Sequence, residues 1–190
     1  MRFLVALIVF SASAASADEA RSKKESFLAE KADRKPVHVR APLERVARGA
    51  VTLRNNWTHE ILAVDPTRPP TAERIDGFLR DHFTNQATKM DPRLSAVLWR
   101  AATKFKSTYI EIVSGYRAPK YNLMLRKKGH AVARDSQHPL GNAVDFRLAG
   151  VHTKALYKFV RSMRLGGAGL YLHGGFVHAD VGRVRTWKGE

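Results

Sequence analysis

Two short stretches carry residue types that could do chemistry together. In "SQHPLGNAVDF", residues 136–146, His138 precedes Asp145 by seven positions. In "FVHADVG", residues 176–182, His178 precedes Asp180 by two. Asp145 stands in an apolar run with the alternation of a strand, so Val144 and Phe146 point to one face and Asp145 with Ala143 to the other. A carboxylate there is expensive to bury unless a cation pairs with it, either an arginine such as Arg117 or Arg147, or a metal. The second stretch has the same period, and His178 and Asp180 share a face with Phe176. If the two strands are neighbours, His138, Asp145 and His178 converge. Two imidazoles and one carboxylate leave a fourth tetrahedral position open, the arrangement of a catalytic zinc with a water in the free place. Zinc lowers the pKa of such a water to about 7. Against this, a histidine taken singly is more often a hydrogen-bonded structural residue, and eight histidines make chance pairs expected.

The elements that must position these residues can be read from period and punctuation. "VTLRNNWTHEILAV" alternates like a hairpin turning at Asn55-Asn56. "TAERIDGFLRDHF" has helical spacing of Ile75, Phe78 and Leu79, with Thr71 as cap. "DPRLSAVLWRAATKF" repeats that plan, with Asp91 as cap and Pro92 at the first helical position. "TYIEIVSGYR" reads as a strand ending at Gly115, and "KYNLMLRKKG" as a short helix closed by Gly129. "NAVDFRL" is a strand, and "HTKALYKFVRSMRLGG" an amphipathic helix ended by two glycines. "GLYLHGGFVHADVG" is a hairpin with Gly174-Gly175 as its turn. The expected class is α+β, helices packed on a small, mostly antiparallel sheet.

The first residues stand apart. "MRFLVALIVFSASAASADEA" has one Arg, an apolar run from Phe3 to Phe10, and the small residues Ala15-Ser16-Ala17. That order predicts a secretory signal peptide at 1–17, cut before Asp18, and so an exported, periplasmic protein. The apolar run is too short to span a bilayer, and no other transmembrane candidate follows. Residues 18–50 are charged, with two Pro, and predict an extended or mobile lead-in; the domain is expected over 51–190. The chain has no Cys, which excludes a Cys nucleophile, a Cys-based metal site and a lipid-bearing Cys after the signal. Its 33 Lys and Arg against 17 Asp and Glu give a formal charge of +16, which suits an anionic partner. Export disfavours nucleic acid and favours cell-wall material or an anionic membrane surface.

Three ordered blocks raise the metal reading. "SGYRAPKYNLML", "ARDSQHPLGNAVDFRLAG" and "GGAGLYLHGGFVHADVGRVRTW" resemble the zinc D-alanyl-D-alanine metallopeptidases, in particular their exported murein DD-endopeptidase K-like branch. The resemblance runs from about Val51 to Trp187 and includes "IDGFLRDH" and "KMDPRL" upstream. It implies a hedgehog/DD-peptidase-like fold, a zinc ion held by His138, Asp145 and His178, and hydrolysis of peptide cross-links in peptidoglycan. It makes Arg117 the arginine that steadies the substrate or the developing oxyanion, a role a forked, permanently charged guanidinium suits. The alternative for Arg117 is a structural salt bridge. Ser136 would sit at the pocket edge and bond the substrate; otherwise it is a loop cap. Gly141 lets the loop turn back. Asn122 matches the family as well, with a structural role on its helix.

The general base is open. Many relatives place a Glu or His shortly before the final ligand, but this chain has Gly175 and Phe176 there. Asp180 is the candidate, either as base or as the partner that holds His178 in one tautomer. His173 is a lesser one. Rival readings are a carboxypeptidase of the same chemistry, a non-catalytic wall-binding module, and a polyanion binder resting on charge.

Overall fold

The computed structural model describes residues 50–65, 70–128, 133 and 135–189. The expected signal peptide, all of the lead-in but Ala50, and the Gly129 helix stop lie outside the described residues. Among the described residues seven strands and four helices follow one another, an α+β arrangement as expected. The strands are β1 (Val51–Asn55), β2 (Ile61–Val64), β3 (Tyr109–Ser114), β4 (Ala143–Leu148), β5 (Gly167–Tyr171), β6 (Phe176–Asp180) and β7 (Arg185–Gly189). The helices are α1 (Ala72–Phe78), α2 (Pro92–Phe105), α3 (Pro119–Lys127) and α4 (Thr153–Met163). One sheet holds all seven strands in the order β2-β1-β3-β4-β6-β5-β7. Its pairs are antiparallel except β1 with β3 and β5 with β7.

β4 lies in the middle of this sheet, and its alternation divides the labour. Val144, Phe146 and Leu148 join Ile110, Ile112, Val177 and Ala179 in the core, together with Leu94, Val97 and Leu98 of α2 and Leu156 and Val160 of α4. Asp145 turns the other way. It pairs in register with His178 on β6 and, across a bulge in β3, with Ser114. His178 in turn pairs with Gly169, and Gly169 with Trp187 on β7. A single row across five strands therefore reads Ser114, Asp145, His178, Gly169, Trp187, all on one face because the pleat has period two.

Two helix starts are as their caps predict. Thr71 Oγ1 accepts from Arg74 N at 3.3 Å, and Asp91 Oδ1 from Arg93 N at 2.9 Å ahead of Pro92. Two expectations need correction. The first helix stops at Phe78 and does not run on to Phe83, because the chain beyond it is claimed by other partners. Leu79 O accepts from Tyr116 N at 2.8 Å, and the buried Asp81 accepts from Phe83 N. The last helix ends at Met163, capped by Arg164 in the left-handed region (φ 51°), not at the glycine pair. Gly167 instead opens β5, and a Cβ there would collide with Asp180 and Arg185. The C-terminal segment, given no element above, is β7, which pairs parallel with β5. The β5–β6 hairpin is as expected, with a turn over residues 172–175 and Gly175 at φ 66°.

Candidate metal centre

His138 enters through a short 3-10 turn, His138–Leu140, just before β4. The chain leaves that turn through Gly141 in the left-handed region (φ 71°), where a side chain would run into the carbonyl of Lys89. This reversal drops the His138 ring over the row that carries Asp145 and His178. All three side chains are buried. His138 Nε2 lies 3.2 Å from Asp145 Oδ2 and 3.2 Å from His178 Nδ1. His178 Nδ1 lies 2.8 Å from Asp145 Oδ1. One ligand atom from each residue falls within 4.8 Å of the others, a group able to hold a metal ion.

The outward nitrogens decide what the inward ones offer. His138 Nδ1–H donates to the carbonyl of Gly115 at 2.6 Å, and His178 Nε2–H donates to Asp180 Oδ2 at 2.9 Å. A neutral imidazole tied in this way turns its lone pair inward, and the two inward nitrogens lie 3.2 Å apart beside a carboxylate. Three electron-rich groups facing one another call for a cation, so the donor set fits a divalent ion. Burial pushes the His138 imidazole down, and the Arg117 guanidinium adds to this. Burial would raise the Asp145 carboxyl, but His138 and His178 together hold it well below the usual range. Burial likewise works against a charged His178, yet the carboxylates of Asp145 and Asp180 raise it overall.

Arg117 reaches the same space from the segment after β3. Its Nη2 lies 2.6 Å from Asp145 Oδ2 and 3.2 Å from His138 Nε2, and its Nε donates to Ser114 Oγ at 2.9 Å. Of the two arginines considered for Asp145, Arg117 is the partner; Arg147 pairs with Glu111. Ser136 is half-buried two residues before His138. Asn122 is buried on α3, and its Oδ1 has no hydrogen-bond partner among the described residues.

Asp180, expected either as base or as the partner that holds His178 in one tautomer, makes contacts through both carboxylate oxygens. Oδ1 accepts from the backbone N–H of Gly167 and of Gly182, each at 2.9 Å, and from Arg185 at 3.1 Å. Oδ2 accepts from His178 and, at 2.8 Å, from Arg185 Nη2. Burial would raise this carboxyl, but those bonds hold it well below the usual carboxylate range. Asp180 thus lies behind the His178 ring, on the side away from Asp145, where it can orient the imidazole. His173 is exposed in the hairpin turn, beyond the Tyr171–Phe176 pair, and does not join the group. Three contributors went unread in the sequence. Arg185, the cation behind Asp180, was hidden among many arginines, although a buried carboxylate demanded one. Trp187, whose ring centroid is 5.0 Å from that of His178, sat in an unassigned strand. The Gly115 carbonyl is a backbone group that residue type does not announce.

A model of the family described as peptidoglycan L,D-endopeptidase MepK matches residues 54–187. The chain belongs to this peptidase family. Over 123 residues it is 40% identical to a probable peptidoglycan L,D-endopeptidase MepK of Haemophilus influenzae, a match covering 64% of this chain and 66% of the relative. Over 115 residues it is 35% identical to the peptidoglycan L,D-endopeptidase MepK of Escherichia coli K12, covering 60% of this chain and 63% of the relative. The chain thus spans less than two thirds of the length of these curated relatives. No solved structure matches it significantly. The sequence blocks pointed to the same branch under a D,D name, whereas the family's description specifies an L,D bond. Among the described residues no helix is long and apolar enough to cross a membrane.

Proposed function

We propose that the chain is a zinc-dependent peptidoglycan hydrolase, an endopeptidase that cuts peptide cross-links of murein outside the cytoplasm. The observation that carries this is the convergence of His138 Nε2, Asp145 and His178 Nδ1 in a member of the MepK family. These three residues would hold the ion, and two imidazoles with one carboxylate suit zinc with a position left for water or substrate. When bound, such an ion makes an acidified water available at neutral pH and polarises a peptide carbonyl.

The chain's own residues do the rest. The Gly115 carbonyl and Asp180 fix both imidazole tautomers and ring orientations. Arg117, held by Ser114, keeps a permanent positive charge beside the ligand atoms, where it can stabilise the charge that develops on a carbonyl oxygen. Ser136 would hydrogen-bond the substrate at the rim. The relatives' names specify an L,D bond, and we assign this chain the same bond class. The excess of positive charge suits wall peptides rich in carboxylates, with peptidoglycan and not nucleic acid as partner. The N-terminal pattern at 1–17 supports export and a periplasmic location.

Purified protein incubated with muropeptide dimers joined through L,D or D,D bonds, with and without a chelator, tests the proposal. Expected is chelator-sensitive conversion of the L,D dimer to monomers, restored by zinc and absent in His138→Ala. If neither dimer is converted, the endopeptidase reading fails. Release of a terminal D-Ala from a monomeric pentapeptide would replace it with a carboxypeptidase.

A further inference from the structure

Four aromatic rings near the metal group have no part in it. Trp57 and Phe83 are 57% and 45% exposed, and large aromatic faces left in water mark binding surfaces more often than accidents when they cluster. These rings are held in place. The Trp57 indole N–H donates to Val113 O at 2.8 Å, and its ring lies parallel to His82 at 4.3 Å and 3°. Phe83 lies parallel to Tyr121 at 5.0 Å and 13°. The two stacks are joined at right angles, His82 to Tyr121 at 84°, and the Tyr121 hydroxyl is hydrogen-bonded to His82 Nε2 at 3.2 Å.

The cluster is tied to the candidate site through the backbone. Val113 precedes Ser114, the residue that holds Arg117. The fully buried Asp81 accepts from Phe83 N and from Ala118 N, each at 2.7 Å, so the segment bearing His82 and Phe83 is stapled to the residue after Arg117. Tyr121 follows one helical turn later. Burial holds His82 below its ordinary value, against the Asp81 carboxylate and with the Arg117 charge acting in the same direction.

We propose that Trp57 and Phe83, backed by His82 and the buried Tyr121, form a saccharide subsite, on which a sugar ring of the glycan strand stacks while its attached peptide enters the metal centre. The identity of the substrate rests on the endopeptidase reading above. A pyranose ring offers a flat C–H face edged by hydroxyls and amides. Its C–H face matches the exposed rings of Trp57 and Phe83, and its polar edge can meet the half-buried His82 imidazole between them. A stem peptide is a poorer match, since its carboxylates are drawn to Arg117 and not to the faces of Trp57 and Phe83.

Two measurements test this, one without turnover. In an NMR titration with an N-acetylglucosamine tetramer, the combined Trp57→Ala and Phe83→Ala variant should bind about tenfold more weakly than wild type. Trp57→Phe should restore most of the affinity. In kinetics on two dimers with the same scissile bond, the variant should raise KM about tenfold for the disaccharide-bearing dimer, with kcat unchanged and the sugar-free dimer unaffected. Phe83→Ala by itself serves if the double variant does not fold, as a thermal melt will show. Equal tetramer binding by wild type and variant overturns the subsite, and so does an equal loss on both dimers, which would mean that the platform grips peptide. If wild type cleaves neither dimer, the endopeptidase reading has failed, and the titration still decides the platform.

Discussion

Asp180 and Asp145 are both buried carboxylates, and their partners give them different work. Asp145 faces two inward imidazole nitrogens and Arg117, whereas every bond of Asp180 comes from outside that space. Asp180→Asn keeps the shape and removes the charge that fixes His178. Metal affinity, read by competition with a chromophoric chelator, should fall 10–100-fold. At saturating zinc most of kcat should return; a residual kcat near zero with metal bound would make Asp180 a proton carrier after all. Arg117→Lys separates charge from geometry at the neighbouring position. Lysine keeps the positive charge but not the fork that reaches Ser114, Asp145 and His138 together. The expected loss is about 10²–10³ in kcat, in the range of removing one oxyanion donor, with metal content unchanged.

At the scale of elements, legibility followed how local the cause was. β4 and β6 could be read because alternation is a property of neighbours in sequence, and a lone carboxylate in each stood out against the apolar residues. The starts of α1 and α2 could be read because Thr71 and Asp91 act within three residues. The end of α1 could not, since what stops it is Tyr116 and Ala118 reaching across from another segment. Likewise β7 exists as a strand because β5 offers it an edge, and Gly169 makes room there for the Trp187 ring. Convergence of His138 with the two strand residues was legible as a conditional, and the pairing of Asp145 with His178 supplies the condition. Gly115 joins these elements: a Cβ on it would strike the Leu79 carbonyl, and its own carbonyl orients His138. Gly115→Ala should therefore destabilise the fold by about 1–3 kcal/mol, as overpacking does. It should also weaken metal binding, unlike Phe146→Ala on the opposite face, which should cost about 3–5 kcal/mol while leaving affinity per folded molecule intact. Denaturant melts paired with metal titrations distinguish the two.

For the molecule as a whole, the metal group sits where a loop and the two central strands meet, so an ion there would act as a fastener between segments remote in sequence. The group's three side chains come from those segments, with Arg117 as the nearby cation. Binding to the native state and not to the unfolded chain adds about 4 kcal/mol at a free ion concentration a thousand times Kd. For a domain of roughly 140 residues each kcal/mol is worth about 2–4 °C in Tm, so zinc-loaded protein should melt about 8–16 °C above chelator-treated protein. His178→Ala should melt at one temperature in both conditions, because the ion then loses a ligand while the scaffold of β4 and β6 stays paired. Scanning calorimetry of wild type and variant, each with zinc and with chelator, reads all four values. Equal melting of wild type with and without the metal would mean that these three side chains do not bind an ion in solution, and the hydrolytic chemistry assigned to them would go with it.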